Sequence, residues 1–271
     1  MKKLIISPQA GFGNRMRALC SGILLGKFLN REVYHYWVSD FPNSNIGYIN
    51  ELKSINFDYI FEPIIPIWDG SHINLCLSEW LPGDGWYYSQ STAQSRLQFD
   101  RVVKLSSIED IINCEEESIL LETSLIYKIG SIIDFWDHLM IDVYKKNFTI
   151  KKKWLDIIDN IPSYKNGIWI RRGDFLSHFS EANIEYNFLI DYINNISGSK
   201  IILSDDKEYR DRVRASTSSL SDYLEMSNVD KSIVDFFILS RSDNVYGTTL
   251  SSFAKQAALF GNKPYFEIKQ I

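Results

Sequence analysis

Cysteine is scarce in this chain of 271 residues, which has only Cys20, Cys76 and Cys114. They are odd in number and far apart, and no Cys-x-x-Cys or Cys/His ligand spacing occurs, which excludes a disulfide framework and a structural zinc site. Cys20 falls in an apolar helical pattern and reads as a buried thiol. A reducing compartment suits such a sequence, so a cytoplasmic location is expected. A basic excess is missing as well: 29 Lys and Arg stand against 34 Asp and Glu, a net charge of -5. Duplex nucleic-acid binders draw most of their affinity from phosphate neutralisation, so no nucleic-acid partner is expected. The one dense basic run, Lys151-Lys152-Lys153, reads as a solvated helix start or linker. No apolar run approaches the roughly 18 residues of a membrane span. The amino terminus has only Leu4, Ile5 and Ile6 between its lysines and Pro8, too little for the core of a signal peptide.

What the chain does have is the composition of a globular protein, 45% hydrophobic and 23% charged, with length for one large domain or two modest ones. Lys3 to Ser7 reads as a strand and Pro8 to Asn14 as a glycine-containing loop. Met16, Leu19, Cys20, Ile23, Leu24 and Phe28 then recur at helical spacing. Ala18, Gly22 and Gly26, four residues apart on the adjoining side, leave room for a sheet to pack closely. Val33 to Val38 is a second strand, completing a βαβ unit. Residues 40 to 100 read as loops with short helices. A strand is expected at Ser118 to Thr123 and a helix at Ile132 to Lys145. A charged helix from Lys151 to Ile161 ends at Pro162, and the domain boundary is placed near it. Alternation then resumes, with strands at Gly167 to Ile170, Lys200 to Leu203, Asn244 to Tyr246 and Pro264 to Ile268. The helices between them are expected at Tyr186 to Asn195, Lys207 to Arg214, Lys231 to Ser240 and Ser252 to Phe260.

Three segments carry chemistry. In Gly167-Ile-Trp-Ile-Arg-Arg-Gly-Asp174 an apolar strand runs directly into two arginines. Ligands of open α/β sheets bind at the carboxyl ends of strands, and adjacent guanidiniums there offer permanently charged forks to phosphate oxygens. The other reading is a surface pair closing the strand through a salt bridge to Asp174. The second segment, Thr248-Thr-Leu-Ser-Ser-Phe253, is a hydroxyl-rich loop opening a helix. It suits an anion site, or simple capping by Ser251 or Ser252. The third, Gly11-Phe-Gly-Asn-Arg-Met-Arg17, lacks the third glycine of a dinucleotide fingerprint and the lysine of a P-loop. Its glycines permit a tight turn, and Asn14, Arg15 and Arg17 supply polar groups. The aromatic segment Trp80 to Tyr88 has the density of a carbohydrate-stacking loop, or of ordinary packing around a Pro-Gly turn.

In this order the segments resemble the GDP-fucose-dependent fucosyltransferases, the group that includes α1,2-, α1,6- and protein-O-fucosyltransferases. Gly11-Phe-Gly-Asn14 is similar to the family's G-x-G-N loop, and Trp169-Ile-Arg-Arg-Gly-Asp174 to its H-x-R-R-x-D motif. Ser204-Asp205-Asp206 is similar to its Ser-Asp-Asp segment, and Asp235 to Phe260 to its final helix, strand and Ser-Ser-Phe loop. Residues 40 to 160 are unmatched. The resemblance implies a GT-B-like α/β fold, two Rossmann-like halves with an interdomain cleft. Residues 1–150 would form the acceptor-side domain and 151–271 the nucleotide-sugar domain. It implies metal-independent, inverting transfer of fucose from GDP-fucose to a hydroxyl of a glycan or glycolipid acceptor. The GDP-sugar is the donor substrate and no separate cofactor is needed. Peripheral membrane contact would suffice for a lipid-borne acceptor.

The implied donor site comprises Arg171 and Arg172 on the diphosphate, with Ser251, Ser252 and Phe253 closing over it and Thr249 among the substrate-binding residues. Asp205 or Asp206 would lie near the nucleoside, and Gly13, Asn14 and Arg15 would face the donor sugar or acceptor. Arg171, Asp174 and Glu181 form the expected catalytic set, with Asp174, His178 and Glu181 as candidate bases for the acceptor hydroxyl. No D-x-D metal site stands out, and two arginines can do the work of a divalent cation. Trp169 departs from the family, whose histidine at this position is associated with the nucleotide. The indole either stacks on a ligand or points into the core. Two other functions are compatible with the departure: a glycosyltransferase of the same fold using another nucleotide sugar, and a catalytically silent nucleotide- or carbohydrate-binding protein.

Overall fold

Runs of β-branched residues alternating with helical repeats produce two all-parallel sheets in this chain. The structure, a computed structural model, describes residues 1–37, 57–70, 72–79, 97–126, 135–172, 183–216 and 228–270. Two compact units divide it, Met1–Lys151 and Lys152–Ile271.

The first unit holds β1 (Lys3–Pro8), β2 (Glu32–His35), β3 (His72–Ser78), β4 (Gln98–Lys104) and β5 (Ser118–Thr123) in the order β2-β1-β5-β3-β4. All neighbours run parallel. Its helices are α1 (Phe12–Phe28), the short α2 (Phe57–Ile60) and α3 (Glu109–Ile112), and α4 (Trp136–Asn147). A core of Ile5, Ile73, Cys76 and Leu120 fills one face. On α1, Gly22 and Gly26 leave no room for a side chain: a Cβ would lie 2.5 Å from Ile6 Cδ1 and 2.1 Å from Val33 Cγ2, respectively. The small-residue row is thus the contact between α1 and its sheet. Cys20 is fully buried, and its thiol donates to the Met140 carbonyl of α4.

The first helix begins earlier than its apolar period suggests. Gly13, Asn14 and Arg15 belong to its first turn, with Gly11 as the N-cap, so the expected glycine loop shrinks to Gln9-Ala10-Gly11. Two strands, β3 and β4, lie where loops and short helices are expected. The second is an edge strand paired only with β3 among the described residues, and most of it is exposed.

The second unit comprises α5 (Lys152–Ile158), β6 (Asn166–Ile170), α6 (Tyr186–Asn195), β7 (Lys200–Ser204), α7 (Lys207–Ser216), α8 (Asn228–Arg241), β8 (Asn244–Thr248), α9 (Ser252–Gly261) and β9 (Tyr265–Ile268). Its parallel sheet has the order β7-β6-β8-β9. Ile168, Ile170, Leu189, Ile193, Ile202 and Val213 pack one face. On the other, the aromatic rings of Trp169, Phe236, Phe237, Phe253 and Phe260 interlock. Gly247 on β8 faces α9, where an added Cβ would meet the Ala254 Cβ at 2.7 Å. That close approach seats the start of α9 directly on the sheet.

His35, 1% exposed, ends β2 with its ring 4.8 Å from that of Phe57. Burial lowers its pKa from 6.5 to about 4, with only the Ile65 backbone opposing the shift. The folded protein therefore binds fewer protons than the unfolded chain between these two values, so stability is complete above about pH 6.5 and falls as pH drops towards 4. Urea titrations at both ends of this window should show a loss of up to about 3 kcal/mol from this group. In His35→Leu that increment should vanish; an unchanged acid slope would show that other groups set it.

Candidate active site

The connections of the second sheet diverge between β6 and β8. From β6 the chain goes outward to β7, then crosses back to β8 on the other side. Such a switch point opens a crevice at the carboxyl ends of the strands. Arg171 and Arg172 leave β6 there, and Thr248 to Ser252 leave β8.

The exit from β6 is fixed on both sides. The Arg171 N–H donates to Thr248 Oγ1 at 2.9 Å, tying it to β8. Towards β7, Asp205 Oδ1 accepts the Arg172 N–H at 2.8 Å, and Asp205 Oδ2 meets the Arg171 guanidinium at 2.6 Å. The Asp205 side chain has 0% exposure and that of Arg171 has 21%. Arg171 thus has a carboxylate partner, but it is Asp205, thirty-four residues away, whereas Asp174 lies outside the described residues. Asp206 turns the other way. Its Oδ1 accepts the Tyr209 N–H at 2.9 Å and caps α7. Arg172 lays its guanidinium over the Tyr209 ring, 3.8 Å from the centroid.

The β8 exit presents donors without intramolecular acceptors among the described residues. Thr249 still pairs with β9, its N–H donating to the Ile268 carbonyl and its hydroxyl to Glu267. Leu250 then adopts a left-handed φ of 63°, a conformation disfavoured for a branched side chain. This bend delivers Ser251 to the N-cap of α9. Capping by its hydroxyl, one of the two expectations, does not occur: the Ser251 side chain makes no cap hydrogen bond. The residue is 6% exposed, and its Oγ has no hydrogen-bond partner among the described residues. A buried hydroxyl without a partner costs roughly 1–3 kcal/mol. The first-turn amides of a helix lack intrahelical acceptors, and α9 has neither an acidic residue in that turn nor a side-chain cap. Ser251 and the helix start together form a donor set that an anion would complete.

Trp169 resolves to the buried alternative. It is 2% exposed and stacks on Phe253, centroids 4.2 Å apart. Phe253, expected over the nucleotide, therefore packs on the strand and anchors the first turn of α9, with Ser252 partly exposed beside it. The candidates Asp174, His178 and Glu181, like the aromatic segment 80–88, lie outside the described residues.

In the first unit, Arg15 is buried and its Nε donates to the Ala10 carbonyl at 2.9 Å, while its guanidinium faces the Trp37 ring. Burial lowers its pKa to about 10. Gly13 is buried and Asn14 partly exposed. Arg17 donates to the Ser124 carbonyl at 2.6 Å. A polar group absent from the sequence reading lies at the carboxyl ends of β1, β3 and β5. Glu122, fully buried, accepts from Ser78 Oγ at 2.7 Å, and Glu79 accepts from Ser124 and Leu125. Isolated acidic residues ending apolar strands are the only signal it leaves in the sequence. Among the described residues no three His, Cys, Asp or Glu side chains gather as metal ligands, and no helix is long and apolar enough to cross a membrane.

The architecture matches solved structures over almost the whole chain. The fucosyltransferase NodZ from Bradyrhizobium superposes with a TM-score of 0.58 at 13% identity, covering 96% of this chain and 94% of its own. POFUT1 in complex with GDP gives 0.61 at 13%, covering 98% of both chains. FUT1 from Arabidopsis thaliana gives 0.58 at 12%, covering 98% of this chain and 70% of its own. This is the GT-B fold of the fucosyltransferases. The resemblance seen in the motifs is thereby met at the level of fold, with two Rossmann-like halves. No protein-family model matches the sequence, and neither does any curated protein.

Because the Ser251 hydroxyl caps nothing and is buried, its removal should not destabilise the ligand-free protein. Chemical denaturation should find Ser251→Ala at least as stable as wild type, with a gain of up to about 1–3 kcal/mol from losing an unsatisfied hydroxyl, whereas loss of a working N-cap costs about 1 kcal/mol. A loss of that size would mean that the hydroxyl serves the helix.

Proposed function

We propose that the chain is a glycosyltransferase that moves fucose from GDP-fucose to a hydroxyl of a glycan or glycolipid acceptor, with inversion and without a metal ion. The observation that carries this reading is the meeting, at one switch point, of two arginines and the buried Ser251 hydroxyl at the start of α9, which has no partner among the described residues. Sharing a fold with NodZ soaked with GDP-fucose and POFUT1 bound to GDP-fucose supports the choice of donor.

The diphosphate sits against Arg171, Arg172, Ser251 and the first turn of α9. In the reaction the acceptor oxygen attacks the anomeric carbon from the face opposite the diphosphate. The bond from that carbon to the phosphate oxygen breaks, and GDP leaves with one more negative charge. Donors already fixed around that charge stabilise the transition state more than the ground state. Asp205 holds Arg171 in place and offsets part of its charge. Arg172 and the helix start therefore supply most of the uncompensated positive potential. The acceptor proton passes to a carboxylate of the segment 173–182, Asp174 or Glu181.

Thermal melting in EDTA with GDP, UDP or CMP tests the reading, because a ligand of the native state raises stability by mass action. GDP should raise the melting temperature selectively. Arg171→Ala strips Asp205 of its guanidinium and should melt below wild type. Under conditions where it is folded it should lose the GDP shift and lose transfer from GDP-fucose by at least about 100-fold. Selective stabilisation by UDP or CMP would replace the donor, and undiminished transfer by Arg171→Ala would remove the clamp.

A further inference from the structure

The two guanidiniums at the end of β6 are held in different ways. Arg171 spends a donor on Asp205. Arg172 makes no ion pair among the described residues. It instead lies over an aromatic ring, 3.8 Å from its centroid, a contact made through the ring face that spends no carboxylate on the guanidinium. That ring, Tyr209, is itself braced. Its backbone N–H is fixed by the Asp206 cap, and Tyr186 meets it edge-on with centroids 5.8 Å apart at 87°. Tyr186 is secured in turn: its hydroxyl donates to the Arg212 carbonyl at 3.0 Å, and the Arg212 guanidinium lies over its ring at 4.1 Å. The ladder Arg172, Tyr209, Tyr186, Arg212 therefore ties the strand exit to α6 and α7. The Tyr209 hydroxyl is buried, and the Arg172 charge opposes the rise in pKa that burial causes.

We propose that Tyr209 is the positioning residue for Arg172: its ring fixes the plane of the guanidinium so that two parallel N–H groups can engage phosphate oxygens of a nucleoside diphosphate. The inference rests on the donor-site reading above. An arginine on a long flexible stem loses rotamer freedom when it grips a ligand, and a stack that restricts it beforehand lowers that cost. On this reading the aromatic face of Tyr209, and not its hydroxyl, does the positioning. It distinguishes the two arginines by role, one paired with a carboxylate and the other held by a ring.

Isothermal titration of GDP in EDTA, on the full chain, tests this with wild type, Tyr209→Phe, Tyr209→Leu, Arg172→Ala and the Tyr209→Leu/Arg172→Ala double variant. Tyr209→Leu should weaken GDP binding by about tenfold, within the range of a partly desolvated cation–π contact. Tyr209→Phe should stay within about threefold of wild type. In the Arg172→Ala background, Tyr209→Leu should cause no further loss, since the guanidinium it positions is gone. Equal losses in both backgrounds, or a Tyr209→Phe loss as large as that of Tyr209→Leu, would overturn the assignment while leaving the donor site standing. Absence of GDP binding to the wild type would remove the donor site, and the positioning role with it. Circular dichroism melts of each variant separate these results from unfolding, and if Tyr209→Leu unfolds, Tyr209→Met serves as the non-aromatic variant under the same criteria.

Discussion

A carboxylate with no exposed surface must be hydrogen-bonded or neutralised to remain in the fold, and Asp205 is both. One of its oxygens receives the backbone N–H of Arg172 and the other the guanidinium of Arg171, so the exits of β6 and β7 are locked together. Thr248 joins β8 to the same point through the Arg171 N–H. Three adjacent strands thus end in one hydrogen-bonded unit. Breaking a buried pair by deleting one partner leaves a desolvated charge and costs about 3–5 kcal/mol, which makes the geometry of the strand ends rigid. The arginines are presented by this lock and not by their own chain conformation.

The other half of the site follows from packing on the opposite side of β8. Gly247 lets Ala254 approach the strand, and Phe253 stacks on Trp169, so the first turn of α9 cannot lift from the sheet. The left-handed turn at Leu250 then leaves the Ser251 hydroxyl buried without a partner among the described residues. Strain and an unsatisfied donor are both costs to stability, and they fall on adjacent residues at the switch point. Costs concentrated in this way are expected where a ligand completes the structure.

Much of this was legible in the chain, and the failures have physical causes. Strands such as Gly167-Ile-Trp-Ile170 and Lys200-Ile-Ile-Leu203 are buried on both faces, so they appear as short apolar runs bounded by polar residues. The small residues of α1 gave away its contact with the sheet. By contrast, Gln-Phe-Asp-Arg-Val-Val-Lys of β4 is an exposed edge strand, and exposure erases the hydrophobic pattern by which strands are read. The start of α1 was hidden because Gly11-Phe-Gly-Asn14 has poor helix propensity, which burial of Phe12 and Gly13 overrides. At the site, the arginine pair and the hydroxyl loop could be found by local chemistry. Their partners could not: Asp205 is thirty-four residues from Arg171, and Phe253 is far from Trp169. Asp206 shows the limit most plainly, since adjacent identical residues divide between an ion pair and a helix cap.

The central claim is that the ends of β6 and β8 and the start of α9 form one anion site for the diphosphate of a donor. Amide hydrogen exchange read by mass spectrometry, with and without GDP, tests it most directly, because it locates binding on the backbone without altering a residue. The account predicts added protection in two separate stretches, around Arg171-Arg172 and across Leu250 to Ala254. Protection confined to other parts of the chain while GDP binds would contradict it.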